Sequence, residues 1–260
     1  MPLFDPKAAA NFIADAHRQR AVFQNLPLEI APGTVDEAYA AQEALRELWT
    51  PLYGKLAGLK IATTTKVMQA LMGIDHPCGG MIYERRVHAS PTSIRLGDYM
   101  NVVVECELAV RMARTLPKTA APYTREDVRA AVGAVMPAFE LIEDRKAVYK
   151  ESKALSLIAD NAWNAGIVLG APVTVGADKP LDGIRGRLAI SGKDGREGPT
   201  DDPMGALAWI ANLAADRNRP LEAGMVVITG SMIPTLPIAA GETFVFEIEG
   251  IGKVELSAAA

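Results

Sequence analysis

The chain has 260 residues, 49% hydrophobic and 22% charged, which suits a soluble globular protein with an ample core. A net charge of −4, with Lys and Arg scattered among the acids, leaves no basic stripe and argues against a nucleic-acid binder. No run approaches the roughly 18 apolar residues of a membrane span, and two cysteines, three histidines and no CxxC pair argue against a disulfide framework or a structural zinc site.

The opening stretch MPLFDPKAAANFIADAHRQR lacks the apolar core of a signal peptide, and a strand position for Cys106 fits a reduced, cytoplasmic protein. Asp5-Pro6 reads as an N-cap followed by proline at the first helical position, with Phe12, Ile13 and Ala16 on one side of the helix. After the break at Pro32-Gly33, Thr34-Val35-Asp36-Glu37 is a capping box opening a second helix. Its inward positions are Val35, Tyr39, Gln42, Leu45 and Trp49. Both helices read as packing elements.

From Gly54 the texture turns β-prone through Lys60-Ile61-Ala62 and Thr63-Thr64-Thr65, then a short helix over 66–72 stops at Gly73. Lys60, between Leu59 and Ile61, is either a half-buried lysine or one that snorkels to solvent. The segment 74–82 reads as a polar, glycine-rich turn. Within it Asp75, His76 and Cys78 suggest a nucleophile beside a base, although no partner pattern supports a cysteine hydrolase. Short strands are expected on both sides of Pro91.

Val102-Val103-Val104-Glu105-Cys106-Glu107-Leu108-Ala109-Val110 reads as a buried strand that carries two acids. Strand side chains alternate, so Glu105 and Glu107 share a face about 7 Å apart, with Val104, Cys106 and Leu108 opposite. Two like charges there need solvent, a proton or a hard divalent cation. A solvated strand face and a metal site both satisfy the pattern.

Thr124-Arg125-Glu126-Asp127 is expected to cap a third helix, with Val128, Ala131, Val132 and Val135 buried and its end near Pro137. Phe139-Glu140-Leu141-Ile142 follows as a short apolar run with one acid, a candidate third carboxylate. Ile158-Ala159-Asp160-Asn161-Ala162 leads into a strand over 166–170. Next come an alternating strand over 187–191, a glycine-rich turn over 192–198 and a fourth helix over 204–215. The C-terminal part is β: 225–229, then a hairpin of 243–248 with 253–256, on which Glu247 and Glu249 read as solvated. The whole reads as one α+β domain over 1–260, with a helical N-terminal segment of about 1–55 and a β-rich core of about 56–260.

These landmarks resemble the 2-keto-4-pentenoate hydratase and 2-oxo-3-hexenedioate decarboxylase family of the fumarylacetoacetate-hydrolase superfamily. The matching pieces are Gly58-Leu59-Lys60-Ile61, Gly73-Ile74-Asp75-His76-Pro77, Glu105-Cys106-Glu107, Pro137-Ala138-Phe139-Glu140, Ile158-Ala159-Asp160-Asn161-Ala162 and Thr229-Gly230-Ser231. The resemblance implies a mixed, curved β-roll with peripheral helices and homo-oligomers, often pentamer-based. It implies Mg²⁺, with Mn²⁺ as a substitute, on Glu105, Glu107 and Glu140, and catalytic roles for Lys60 and Asp75. Cys78, Asp160, Trp163 and Ser231 are the implied substrate contacts.

The implied reaction hydrates a 2-hydroxy-2,4-dienoate to a 4-hydroxy-2-oxo acid in aromatic-compound catabolism, and the alternative is decarboxylation of 2-oxo-3-hexenedioate. Cys78-Gly79 leans towards the decarboxylases, whereas Asp75-His76-Pro77 leans towards the hydratases. Trp163-Asn164 replaces the small residues that usually follow Asp-Asn-Ala. An acylpyruvate hydrolase is disfavoured because no His-Glu pair precedes the Glu-x-Glu strand, and a non-catalytic scaffold is the remaining alternative.

Overall fold

Helix boundaries follow from caps. The Asp5 carboxylate accepts the backbone N–H groups of Lys7 (2.9 Å) and Ala8 (3.2 Å) and starts α1, Pro6–Arg18. The Thr34 hydroxyl accepts the N–H of Glu37 at 3.2 Å and starts α2, Val35–Tyr53. Glu37 returns to the N–H of Gly33 (2.7 Å) instead of Thr34, so the capping box closes one residue early. Tyr39, Gln42, Leu45 and Trp49 are buried along α2, and Leu45 and Trp49 join Ala9, Ala10 and Ile13 of α1 in one apolar cluster.

The computed structural model describes residues 3–176 and 179–260. After α2 the elements are β1 (Leu56–Ala62), α3 (Lys66–Met72), β2 (Cys78–Tyr83), β3 (Val87–Ala89), β4 (Thr92–Arg95) and β5 (Val102–Met112). Then come α4 (Arg125–Arg129), β6 (Val132–Glu143), α5 (Ala154–Ala159), β7 (Asn164–Leu169), β8 (Arg185–Ile190) and β9 (Lys193–Pro199). The chain ends with α6 (Pro203–Asp216), β10 (Val226–Pro237), β11 (Thr243–Ile248) and β12 (Gly252–Ala259). No helix among the described residues is long and apolar enough to cross a membrane.

Four segments differ from the sequence expectation. The glycine-rich stretch 74–82 holds strand β2, and its glycines allow close approach rather than a turn. A Cβ on Gly80 would lie 2.8 Å from the Asn161 carbonyl oxygen and 2.9 Å from Lys60 Cγ, and one on Gly79 2.7 Å from Ile210. The stretch 192–198 is likewise mostly strand, β9, where a Cβ on Gly198 would fall 1.8 Å from the Met232 carbonyl oxygen.

The third helix is only α4. Val132, Val135 and Pro137 belong to β6, because the β-branched run pairs with β5 from Val102↔Glu143 to Met112↔Val132 and that ladder overrides the helical spacing. Pro137 fits within it as an acceptor, its carbonyl taking the N–H of Gly170 at 2.9 Å. Strand β10 continues past Thr229 to Pro237 through register shifts, the first between Ile228 and Ser231, where Gly230 adopts φ +116°.

The strands form two mixed sheets ordered β2-β1-β10-β5-β6-β7-β3 and β4-β12-β11-β8-β9, and neither closes into a barrel. β1 runs parallel to β10, β3 to β7 and β4 to β12, and the other pairs are antiparallel. This is the expected α+β arrangement of mixed sheets with helices around them. Val104, Cys106, Leu108 and Val110 of β5 face the main core, where Phe139 of β6 meets Phe244 and Phe246 of β11 at 6.4 and 6.2 Å between ring centroids. The opposite face of β5 is thereby left for its acids.

Helix α1 is tied to the rest of the fold at the buried carboxylate of Asp160. Asp160, 1% exposed, accepts from His17 Nε2 of α1 at 2.7 Å and from the guanidinium of Arg145, which is itself buried. Removing one partner of such a pair strands the other in low dielectric. Arg145→Met is expected to lower stability by about 3 kcal/mol, read as a fall in the urea midpoint. Gly58→Ala should cost a similar ~3 kcal/mol, because its Cβ would sit 1.8 Å from the Val226 carbonyl oxygen and force β1 from β10. An unchanged midpoint in either variant would contradict these assignments.

Candidate metal and substrate site

Register assembles this site. Glu105 and Glu107 alternate with the core-facing residues of β5, as the pattern implied. Antiparallel pairing sets Glu140 of β6 directly opposite Glu105, and β10 sets Ser231 opposite Glu107. Directly facing like charges disfavour a sheet. Here one carboxylate oxygen from each of Glu105, Glu107 and Glu140 lies within 4.8 Å of the others. Glu107 and Glu140 are fully buried, and Glu105 is half-buried.

Lys60 reaches the cluster from β1, the neighbour of β10. Its ammonium is 2.9 Å from Glu140 Oε1 and the residue is 2% exposed, so the snorkelling alternative is not realised. Three neutral donors complete the surroundings. The Thr235 hydroxyl donates to Glu105, the Gly230 N–H to Glu107 Oε2 at 2.7 Å, and Asn164 Nδ2 to Glu140 Oε1 at 2.8 Å. The second oxygens, Glu107 Oε1 and Glu140 Oε2, are buried without a hydrogen-bond partner among the described residues.

Burial, reinforced by Glu140 and Glu105, pushes the Glu107 carboxyl well above the usual carboxylate range. Burial also raises Glu140, outweighing the pull of Lys60. At Lys60 burial acts to remove the proton, but the fields of Glu140, Glu105 and Glu107 outweigh it and hold the ammonium above the ordinary lysine value. Once all three carboxylates ionise, as ligation of a cation requires, one ammonium leaves two negative charges unbalanced. A hard divalent cation supplies that charge and takes carboxylate oxygens as ligands, so the donor set and its two orphaned oxygens fit such an ion.

A cavity of about 500 Å³ opens beside the cluster, with Lys60, Glu105, Ser231 and Thr235 at the acidic end. Trp163 and Tyr149 form part of its wall, their rings edge-to-face at 5.3 Å. Residues Asn161, Ala162 and Trp163 all take left-handed φ values (52°, 46° and 58°). Asn161 anchors that turn by accepting the Met81 N–H (2.6 Å) and donating to the Met81 carbonyl (2.9 Å). The turn thus delivers Trp163 to the cavity and Asn164 to Glu140.

Three residues implied by resemblance lie elsewhere. Asp75 is exposed beyond the left-handed Gly73 that ends α3, and its backbone carbonyl alone is engaged, by Lys66 at 3.4 Å. Cys78 is buried behind the cavity, its sulfur 3.3 Å from the Thr63 hydroxyl, with burial raising its thiol pKa. Asp160 is consumed by Arg145 and His17. His76 Nδ1 lies 2.7 Å from the Pro77 carbonyl oxygen and no histidine lines the cavity, so the geometry of a cysteine hydrolase is absent among the described residues. Sequence reasoning missed Tyr149 and Thr235, and noted Asn164 only as a departure. Thr235 carried no signal because it lies six residues beyond the expected end of its strand.

Residues 76–257 match the model of the fumarylacetoacetate (FAA) hydrolase C-terminal family. The 2-keto-4-pentenoate hydratase 2 of Dechloromonas aromatica (strain RCB) is 30% identical over 254 residues, 96% of this chain and 95% of that protein. The 2-oxo-hept-4-ene-1,7-dioate hydratase of Escherichia coli is 30% identical over 260 aligned positions, 94% of each chain. In fold the chain is similar to 4-oxalocrotonate decarboxylase from Pseudomonas putida G7, solved with magnesium and adipate: TM-score 0.88, 22% identity and 97% of both chains covered. The family match, together with relatives at 30% identity along nearly the whole length, places this chain in the fumarylacetoacetate hydrolase family.

Proposed function

We propose that the protein is a divalent-metal-dependent hydro-lyase that converts a 2-hydroxy-2,4-dienoate of the 2-hydroxypenta-2,4-dienoate type into a 4-hydroxy-2-oxo acid. The observation that carries this reading is the buried Glu105–Glu107–Glu140 cluster, paired with Lys60 at the acidic end of a substrate-sized cavity. The hydratase names of the relatives at 30% identity agree with it. In this reading the three carboxylates hold Mg²⁺, with Mn²⁺ as a substitute. Bound there, the ion would act as a Lewis acid toward the oxygens of a 2-oxo acid.

The protein's own groups supply the rest. Lys60 Nζ is a protonated donor fixed 2.9 Å from Glu140 Oε1, so a proton can move between substrate and this pair without crossing solvent. Ser231 and Thr235 offer neutral hydroxyls at the same end. Thr235 and Gly230 orient Glu105 and Glu107, and Asn164 orients Glu140. Homo-oligomerisation, pentamer-based, and a cytoplasmic setting belong to the same reading and rest on family resemblance.

The second reading, decarboxylation of a 2-oxo-enedioate at the same centre, is favoured by the fold likeness to the decarboxylase. Incubation of the Mg²⁺-loaded protein with each substrate separates the two: dienoate consumption with water uptake is expected, and CO₂ release without it would overturn the hydratase. Lys60→Met should lower kcat by about 10²–10⁴-fold, and unchanged turnover would remove Lys60 from the mechanism. Glu107→Gln should weaken Mg²⁺ binding by more than about tenfold, measured by calorimetry.

The raised Glu107 and Glu140 carboxyls set a pH dependence. A cation lowers the pKa of the carboxylates it meets, so Mg²⁺ binding near neutrality should release protons and weaken as pH falls. Titrations in buffers of different ionisation enthalpy read that release directly, and zero release would contradict it.

A further inference from the structure

The cavity has two chemically unlike ends. Glu105, Lys60, Ser231 and Thr235 mark one, while Met72, Ile142, Leu157 and Trp163 mark the other and belong to a single apolar cluster packed with Met68. Among the described residues Lys60 is the only lysine or arginine in the lining, and its ammonium is engaged by Glu140. The adjacent cation on α3, Lys66, points its ammonium at Gln69 Oε1 (2.9 Å) and the Asp75 carbonyl (3.4 Å). The Tyr149 hydroxyl donates to Asp144 at 3.1 Å, and the buried Trp163 Nε1 is a neutral donor.

We propose that this site selects acids with a single carboxylate, at the 2-oxo or 2-hydroxydienoic head, and an uncharged apolar tail of several carbons. Substrates that end in a second carboxylate are rejected. This rests on the carboxylate cluster as the anchor of the head and goes further by fixing the chemistry of the far end. A terminal carboxylate would leave water for a wall dominated by thioether, alkyl and indole groups, where Thr63, Thr64, Thr65 and Tyr149 offer only neutral hydroxyls and no free cation meets it. An apolar tail loses nothing there and removes its own surface from water. The volume of about 500 Å³ accommodates a body larger than a five-carbon dienoate.

The test compares 2-oxooctanoate with 2-oxooctanedioate, equal in length, by calorimetry on the Mg²⁺-loaded full chain. The monoacid is expected to bind at least tenfold more tightly, and Met68→Arg, on the half-buried face of α3, to narrow or reverse that ratio. Equal or tighter binding of the dioate to the unaltered protein, or binding of neither, overturns the proposal. Comparable kcat/KM for dienoates with apolar and with carboxylate tails overturns it while the hydratase reading stands. Absence of any dienoate turnover with the binding ratio intact overturns the hydratase reading and leaves the tail assignment supported.

Discussion

The structure turns on a confrontation that sheets ordinarily avoid: Glu105 and Glu140 face each other across an antiparallel pair, with Glu107 beside them and two of the three fully buried. Every nearby feature answers that repulsion. Lys60 is brought in from β1, donors arrive from the Gly230 bulge, Thr235 and Asn164, and two oxygens still lack partners. A sheet selected for stability alone would place apolar residues at these positions. The accumulation of acid is intelligible as a site whose charge is balanced from outside the chain.

The surrounding fold keeps those positions rigid. β5 and β6 are long central strands whose other faces form the main core, so neither can twist its acids towards solvent without opening the contact of Phe139 with Phe244 and Phe246. The Asp160–Trp163 turn acts from the other side. It is pinned by Arg145, His17 and the Met81 backbone, and it passes that fixity to Trp163 and Asn164.

Local chemistry was legible in the sequence where it is local in space. The caps at Asp5 and Thr34, the alternation of β5 and the C-terminal hairpin needed no partner to be recognised. Segments whose state is set by distant strands were not legible. Val128 to Val135 satisfies a helical stripe, and only the ladder with β5 makes its second half, from Val132, strand. Gly79-Gly80 looks like a turn until Asn161, Ile210 and Lys60 occupy the space that side chains would need. The same limit governs the site: Glu105 and Glu107 announce themselves by spacing, whereas Thr235 becomes a neighbour only through the irregular register of β10. Motif resemblance drew attention to Asp75, Cys78 and Asp160, yet Asp75 is exposed after α3, Cys78 is buried in β2 and Asp160 is paired with Arg145, and none lines the cavity.

The absence of a side chain at Gly80 has a further effect. The Lys60 stem lies where a Cβ on Gly80 would be, with the Asn161 carbonyl closing the same space. A lysine usually holds about 2 kcal/mol of rotamer entropy, and here that freedom is surrendered when β1 and β2 pair. The ammonium therefore presents itself to an arriving molecule already ordered. The disorder that a flexible lysine would lose at each encounter is lost once, during folding.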